Sequence, residues 1–201
     1  MSDELRDDGP FFDDLHHGQV IDTAPSLTLT TGHASLHQSI VGDRLRLALD
    51  GDLSRSVLEA AAPLAHPALV WDVAIGQSTI VTRRAIANLF YRGLVFHRAP
   101  LIGDTLRTTV EVVALRQNSP KPHRVATGMT VLRVRTVDQE SRPVLDFWRC
   151  AMLPVSGPNR RTKHDDDFEA IPTELPAEML TMAVRGWRLD RLAAASDGGY
   201  G

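Results

Sequence analysis

The sequence predicts an α+β domain in which one long helix lies on one face of an antiparallel sheet. Apolar residues at helical spacing begin at Pro67 and continue to Ile86. Four strand-like segments then follow in series, separated by turn-forming residues. A helix followed by consecutive strands is typical of the α+β class. The composition agrees, since 43% of the 201 residues are hydrophobic and 23% are charged, the balance of a globular protein with a buried core.

The charge and cysteine content exclude several classes of protein. Lys and Arg number 22 against 25 Asp and Glu, so the chain lacks the basic excess of a protein that coats nucleic acid. The single cysteine, Cys150, excludes an intramolecular disulfide and a cysteine-rich zinc site, and we expect it to be a buried packing residue. No apolar run reaches the length of a membrane helix, and the acidic N-terminus does not resemble a secretory signal. We therefore expect a soluble cytoplasmic protein that binds neither nucleic acid nor membrane.

The N-terminal third contains short elements. Residues 1–10 are charged and include a Gly-Pro pair, which predicts a mobile leader. Between residues 19 and 31, the apolar residues recur with a period of about two, which predicts a strand. Residues 33–41 predict a short amphipathic helix that ends at Gly42. Residues 43–66 predict an irregular segment, the 43–66 excursion, that contains another short helix.

The long helix begins at Pro67, a residue suited to the first turn because it has no N–H to leave unpaired. Gly76 lies inside the helical run, where glycine costs about 1 kcal/mol relative to alanine. Two explanations remain open for it. Gly76 permits close packing of the helix on the sheet, or it belongs to a substrate-binding surface.

The strands that follow the helix form one sheet. Their predicted limits are 89–98, 105–116, 124–137 and 143–153. One helix covers only one face of such a sheet, so we expect the other face to be solvated or to meet a partner. From Ser156 the composition becomes linker-like, and a short helix is predicted within 178–192.

One strand-turn-strand segment carries a family resemblance. Residues 90–106 read FYRGLVFHRAPLIGDTL, in which Pro100 and Gly103-Asp104 form a turn and Thr105 restarts a strand. The segment resembles the aromatic, Pro and Gly-Asp-Thr-Leu pattern of MaoC-like acyl-CoA dehydratases. That resemblance implies a hotdog fold, an antiparallel sheet wrapped around a long central helix, over residues 11–155. Residues 156–201 then resemble the linker that leads to a second hotdog in double-hotdog members.

A second segment, residues 42–50, resembles the catalytic signature of the same family but departs from it. Gly42, Asp43, Leu47 and Asp50 match, whereas Leu45, Arg46 and Ala48 stand where the family has Asn, Pro and the catalytic His. In the family, the Asp and His hold a water and move protons across an enoyl-CoA double bond. Syn hydration needs both an acid and a base, and Ala48 can transfer no proton. The resemblance therefore implies a pocket-forming half, similar to the N-terminal half of mesaconyl-CoA hydratase-like proteins, that depends on a partner hotdog for the His. Asp43 remains the catalytic candidate of this chain.

Other polar residues have two interpretations each. Arg44 and Arg46 are candidates for binding the CoA phosphates, or they lie on a solvated edge. His97 is a candidate substrate-binding residue or a strand-end residue. His33 and His37 have the spacing of metal ligands, but the sequence supplies no third ligand, so we predict no metal site. No cofactor is predicted, since CoA arrives as part of the substrate.

The resemblance implies reversible hydration of 2-enoyl-CoA thioesters. Two alternatives stay open: an inactive module that binds acyl-CoA or scaffolds a partner, and a hotdog thioesterase that uses Asp72 near the start of the central helix. Because a hotdog leaves a sheet edge for pairing, we expect a homodimer or a heterodimer with another hotdog.

Overall fold

The structure is a computed structural model that describes residues 8–196. Most of the predicted leader at 1–10, and the end of the C-terminal segment from 197, lie outside the described residues. The α-helices are α1 (Thr31–Val41), α2 (Arg46–Leu49), α3 (Gly51–Leu58), α4 (Pro67–Thr82), α5 (Ala177–Leu180) and α6 (Leu189–Ala195). The strands are β1 (Val20–Ile21), β2 (Leu27–Thr28), β3 (Ala87–Phe96), β4 (Thr105–Gln117), β5 (Thr127–Val137) and β6 (Pro143–Pro154).

The strands form one antiparallel sheet in the order β1-β4-β5-β6-β3, with β2 also paired to β4. Helix α4 lies on one face of this sheet. Val70, Ala74 and Val81 of α4 share a buried core with side chains from β4, β5 and β6. This arrangement confirms the predicted α+β class and the wrapped sheet that the resemblance implied.

Local signals account for most element boundaries, with three corrections. The predicted strand at 19–31 is two short strands, β1 and β2. The predicted single helix of the 43–66 excursion is two helices, because Asp50 accepts hydrogen bonds from the N–H groups of Asp52 and Leu53 and so begins α3. Helix α4 ends at Thr82, before Ile86, whose N–H donates to the carbonyl of Met152 and joins the sheet.

Part of the outer face of the sheet is covered by the chain itself. Phe168 and Ile171 pack against Ala114, Val131 and Cys150. The expectation of a solvated or partner-facing surface is therefore wrong for this part of the sheet. No local pattern around 168–171 indicates the contact, since it joins residues far apart in sequence.

Cys150 is fully buried in this outer cluster. Burial raises the pKa of its thiol to about 11, so the reactive thiolate is disfavoured. The prediction that Cys150 is a packing residue is confirmed. Across residues 8–196, the helices are too short or too polar to cross a membrane.

Candidate functional site

Asp43 follows directly after α1, at the point where Gly42 ends that helix in a left-handed conformation (φ 59°). One carboxylate oxygen, Oδ1, accepts hydrogen bonds from the backbone N–H groups of Arg44 and Leu45. The other, Oδ2, contacts Nε2 of His66. Both oxygens of the predicted catalytic residue are therefore engaged within the chain, where they fix the path from α1 to α4.

His66 is the residue of this site that sequence reasoning missed. It is the N-cap of α4, and its Nδ1 accepts a hydrogen bond from the N–H of Ala68 at 3.0 Å. Because Nδ1 accepts, the neutral ring carries its proton on Nε2, which faces Asp43. The signal was present in the sequence, since the residue before a helix-opening proline such as Pro67 occupies the N-cap position.

The electrostatic surroundings of His66 favour its neutral form. Burial lowers its pKa, and the neighbouring His37 lowers it further. The carboxylates of Asp43 and Asp72 oppose these effects without cancelling them.

His37 of α1 lies between His66 and Asp72. Its ring centroid is 5.0 Å from that of His66, with the planes tilted by 32°. Its Nε2 lies 3.7 Å from Oδ2 of Asp72, and its side chain is 7% exposed, whereas that of Asp72 is 63% exposed. A row of four titratable groups thus runs from Asp43 through His66 and His37 to Asp72. We call these four residues the Asp-His row.

The Asp-His row ends at a cleft of about 520 Å³ that lies between α4 and the segment before β2. We call this the α4 cleft. Its lining residues are Ala24, Pro25, Ser26, Leu27, Asp72, Val73, Gly76, Gln77, Thr79, Ile80 and Arg83.

Gly76 lies on the cleft side of α4. A Cβ added to Gly76 would have no neighbouring atom within 4 Å. Close helix–sheet packing is therefore the wrong explanation for this glycine. The other explanation, that Gly76 belongs to a substrate-binding surface, stays a prediction.

The predicted CoA-phosphate residues do not form a site together. Arg46 donates from Nη1 to the carbonyl of Ala195 at 2.6 Å and to Oγ of Ser196 at 2.9 Å, so it holds the end of α6. Arg44 is exposed beside Asp43. Ala48, at the family's His position, is part-buried in α2 and offers no polar group.

The other two candidate histidines, His33 and His97, make their contacts outside the Asp-His row. His33 caps its own helix through Thr30, with Nδ1 3.0 Å from Oγ1, while His37 turns inward. Within residues 8–196 no group of three or more potential ligands has the arrangement of a metal site. His97 follows β3, and its N–H donates to the carbonyl of Val144 at 2.9 Å.

The Gly103-Asp104 turn has a structural role. The Asp104 carboxylate accepts from the N–H of Leu101 at 2.9 Å and from Arg98 at 3.1 Å. Arg98 also donates to the buried carboxylate of Asp138 at 2.7 Å. The turn therefore fixes the β3–β4 connection through contacts within the chain.

Two curated proteins resemble this chain in sequence. Beta-methylmalyl-CoA dehydratase of Chloroflexus aurantiacus is 34% identical over 175 residues, which are 87% of this chain and 48% of that protein. Mesaconyl-CoA hydratase of Cereibacter sphaeroides is 27% identical over 146 residues, 72% of this chain and 41% of that protein. The search of family models found no match.

A solved structure is also similar to this chain. A conserved hypothetical protein of Mycobacterium tuberculosis, described as having a double hotdog fold, is 55% identical with a TM-score of 0.84. The match covers 91% of this chain and 56% of that one. The chain thus spans about half the length of each of these three proteins.

Proposed function

Because this chain belongs to the MaoC-like hotdog dehydratase family, we propose that it is one hotdog unit of an assembly that reversibly adds water to 2-enoyl-CoA thioesters. The observation that carries this proposal is the α4 cleft. Its walls are mainly apolar, as an acyl chain requires, and Gly76 leaves space along the helix. CoA is carried by the substrate, so the reaction needs no separate cofactor.

The family's catalytic imidazole is missing from its expected position. Ala48 stands there, and both oxygens of Asp43 are already engaged. Asp43 and Ala48 therefore cannot act together as the acid and base that the family's reaction uses. We propose that a second hotdog supplies it, while this chain forms part of the acyl pocket.

Two features support a second hotdog. The chain spans about half the length of the three relatives named above, one of which is described as a double hotdog. Strand β3 lies at the end of the sheet path, and exposed apolar side chains lie along it at Leu89, Tyr91 and Leu94. An edge strand of this kind is suited to pairing with another sheet.

The test combines binding with turnover. Calorimetry measures binding of crotonyl-CoA and mesaconyl-CoA to the purified chain, and loss of the enoyl absorbance measures hydration. We expect binding, and hydration only when a hotdog protein with a complete Asp/His signature is added. Absence of binding would refute the thioester proposal, and rapid hydration by the chain alone would refute the dependence on a second hotdog.

A Gly76→Leu variant locates the binding site. We expect it to weaken thioester binding at least tenfold by filling the α4 cleft, an effect of about 1.4 kcal/mol or more. Gly157→Leu is the matched control, because Gly157 also has open space around its Cβ position but lies outside the cleft. Equal weakening by both variants would place the ligand elsewhere.

A thioesterase is the second candidate, because Asp72 of the central helix lines the cleft. Release of free thiol from the same thioesters, measured in the same preparations, would favour that reaction. Binding with neither reaction, even with the added hotdog, would leave an acyl-CoA-binding module.

A further inference from the structure

A second groove, of about 630 Å³, lies on the outer face of the sheet, and residues of the β4–β5 connection, 118–126, form one of its walls. Met129 of β5 and Met152 of β6 line the groove and are paired with each other across the two strands. Met129 also packs against Val131 and Cys150 of the outer-face cluster. The groove is therefore on the sheet face opposite α4, separate from the α4 cleft. We call it the outer groove.

Most of the lining of the outer groove is apolar. Ile86, Leu89 and Val125 line it beside the two methionines, and all three side chains are exposed, Val125 to 68%. The volume lies within the range of about 300–1,000 Å³ that is typical of small-molecule sites. Methionine adapts its shape to an apolar ligand, because its unbranched side chain has three rotatable bonds. The outer groove therefore offers a hydrocarbon chain a surface that is otherwise exposed to water.

The wall formed by the β4–β5 connection is cationic. Lys121 and Arg124 both line the groove, and none of the lining residues that the structure describes is acidic. Within residues 8–196, neither side chain forms an ion pair. The surrounding sequence adds no negative charge, since residues 112–137 contain five Lys and Arg and no Asp or Glu. Two uncompensated cations beside an apolar groove attract a ligand that joins a hydrocarbon part to a negative charge.

The cationic wall is fixed at its base. The backbone N–H of Asn118 donates to the carbonyl of Thr127 at 2.9 Å, and Nδ2 of Asn118 donates to Oγ1 of Thr127 at 2.9 Å. The carbonyl of Ala126 accepts a hydrogen bond from the N–H of Val155 at 2.8 Å. Both ends of the connection are therefore held in position before a ligand arrives, which reduces the entropy lost on binding.

We propose that the outer groove is a binding site for medium-chain fatty carboxylates, in which the hydrocarbon chain covers Met129 and Met152 and the carboxylate meets Lys121 and Arg124. Burial of the chain removes apolar surface from water, which drives binding. The carboxylate accepts charge-assisted hydrogen bonds from the ammonium and guanidinium groups, which fixes its orientation. The inference does not depend on the proposed function, because the outer groove and the α4 cleft lie on opposite faces of the sheet.

Titration of decanoate into protein with isotope-labelled methionine methyl groups tests the proposal, at concentrations below those at which decanoate forms micelles. Met129 and Met152 report on the groove by NMR, while Met179 and Met182 lie outside it and serve as internal controls. We expect the first two signals to shift and the control signals to stay. Decanol, which has the same chain without the charge, should bind about tenfold more weakly. Equal affinity for the two ligands, or no shift of Met129 and Met152, overturns the inference.

Removal of the two cations tests the wall directly. Lys121→Gln combined with Arg124→Gln should weaken decanoate binding about tenfold and leave decanol binding unchanged. Lys163→Gln combined with Arg185→Gln is the matched control, because it also removes one exposed lysine and one exposed arginine, both outside the groove. The control should bind decanoate as the wild type does. Unchanged binding by the first variant, or equal weakening by both variants, overturns the inference.

Substitutions of Val125 separate charge from apolar contact. Val125→Glu places a carboxylate in the groove wall and should weaken decanoate binding at least threefold more than the neutral Val125→Gln. Both changes are at an exposed position, so the melting temperature should stay near that of the wild type. Equal binding by the two variants overturns the role of charge. Shifts of Met129 and Met152 when the protein concentration is raised without decanoate would make a second copy of the chain the occupant, and would also overturn the inference.

Discussion

The carboxylate of Asp43, at the end of α1, contacts Nε2 of His66, the residue that begins the central helix α4. Of the two residues, only Asp43 matches a position of the family signature, where Ala48 replaces the histidine. Here Asp43 also accepts two backbone hydrogen bonds, and His66 also caps its helix. The pair therefore fixes the fold at the end of the Asp-His row.

Replacing Asp43 with alanine should reduce stability and alter His66. The change removes the acceptor for Arg44 and Leu45 and leaves Nε2 of His66 unpaired, so we expect a loss of about 1–3 kcal/mol in the free energy of unfolding. The pKa of His66 should fall further, because the Asp43 charge raises it. Urea unfolding and an NMR titration of the His66 ring measure the two effects. An unchanged His66 titration would show that the contact is absent in solution.

The lowered pKa of His66 makes stability depend on pH. The unfolded chain binds the proton more readily than the folded one, so the contribution is fully present above pH 6.5, the ordinary value, and is lost as the pH falls through the folded-state pKa. We expect a lower urea midpoint at about pH 5 than at about pH 7.5. In His66→Asn, which keeps a good N-cap acceptor, this part of the pH dependence should disappear. A variant with the same pH profile as the wild type would assign the effect to other groups.

Gly76→Ala should stabilise the protein. Alanine is favoured over glycine inside a helix by about 0.5–1 kcal/mol, and its Cβ meets no neighbour at this position. The melting temperature should rise accordingly. A fall would mean that the glycine is needed for close packing after all.

Phe168→Ala should destabilise the fold, although Phe168 lies after the predicted sheet. Its side chain covers the outer face, and truncation of a buried phenylalanine costs about 3–5 kcal/mol. Leu180→Ala is the control, since Leu180 is exposed and its truncation should change the unfolding free energy by less than about 0.5 kcal/mol. Similar unfolding curves for the two variants would show that the segment does not pack on the sheet.

Local chemistry made part of this fold predictable. Pro67 marked the start of α4, because proline fixes φ at a value suited to the first helical turn. Gly42 marked the end of α1, because glycine adopts the left-handed conformation there without steric cost. The four strands after α4 were predictable from their strand-like sequence patterns and from the turn-forming residues between them. The departure of Ala48 from the family signature was also recognisable in the sequence.

The site itself depends on contacts between distant residues, which leave no local pattern. Asp43 and His66 meet only because α2 and α3 return the chain to α1. His37 was recognisable as a helix residue, but its inward direction is set by α4. Spacing alone paired it with His33, whereas the structure pairs it with Asp72 and His66.

An NMR map of where a CoA thioester binds this chain is the most direct test of the proposed function. Crotonyl-CoA is titrated into isotope-labelled protein, and the shifts of backbone amide and histidine signals are followed. We predict that the largest shifts fall on the α4 cleft, at Val73, Gly76, Gln77 and Ile80. Shifts centred on Arg44 and Arg46, or no shifts at saturating ligand, would contradict binding in this cleft.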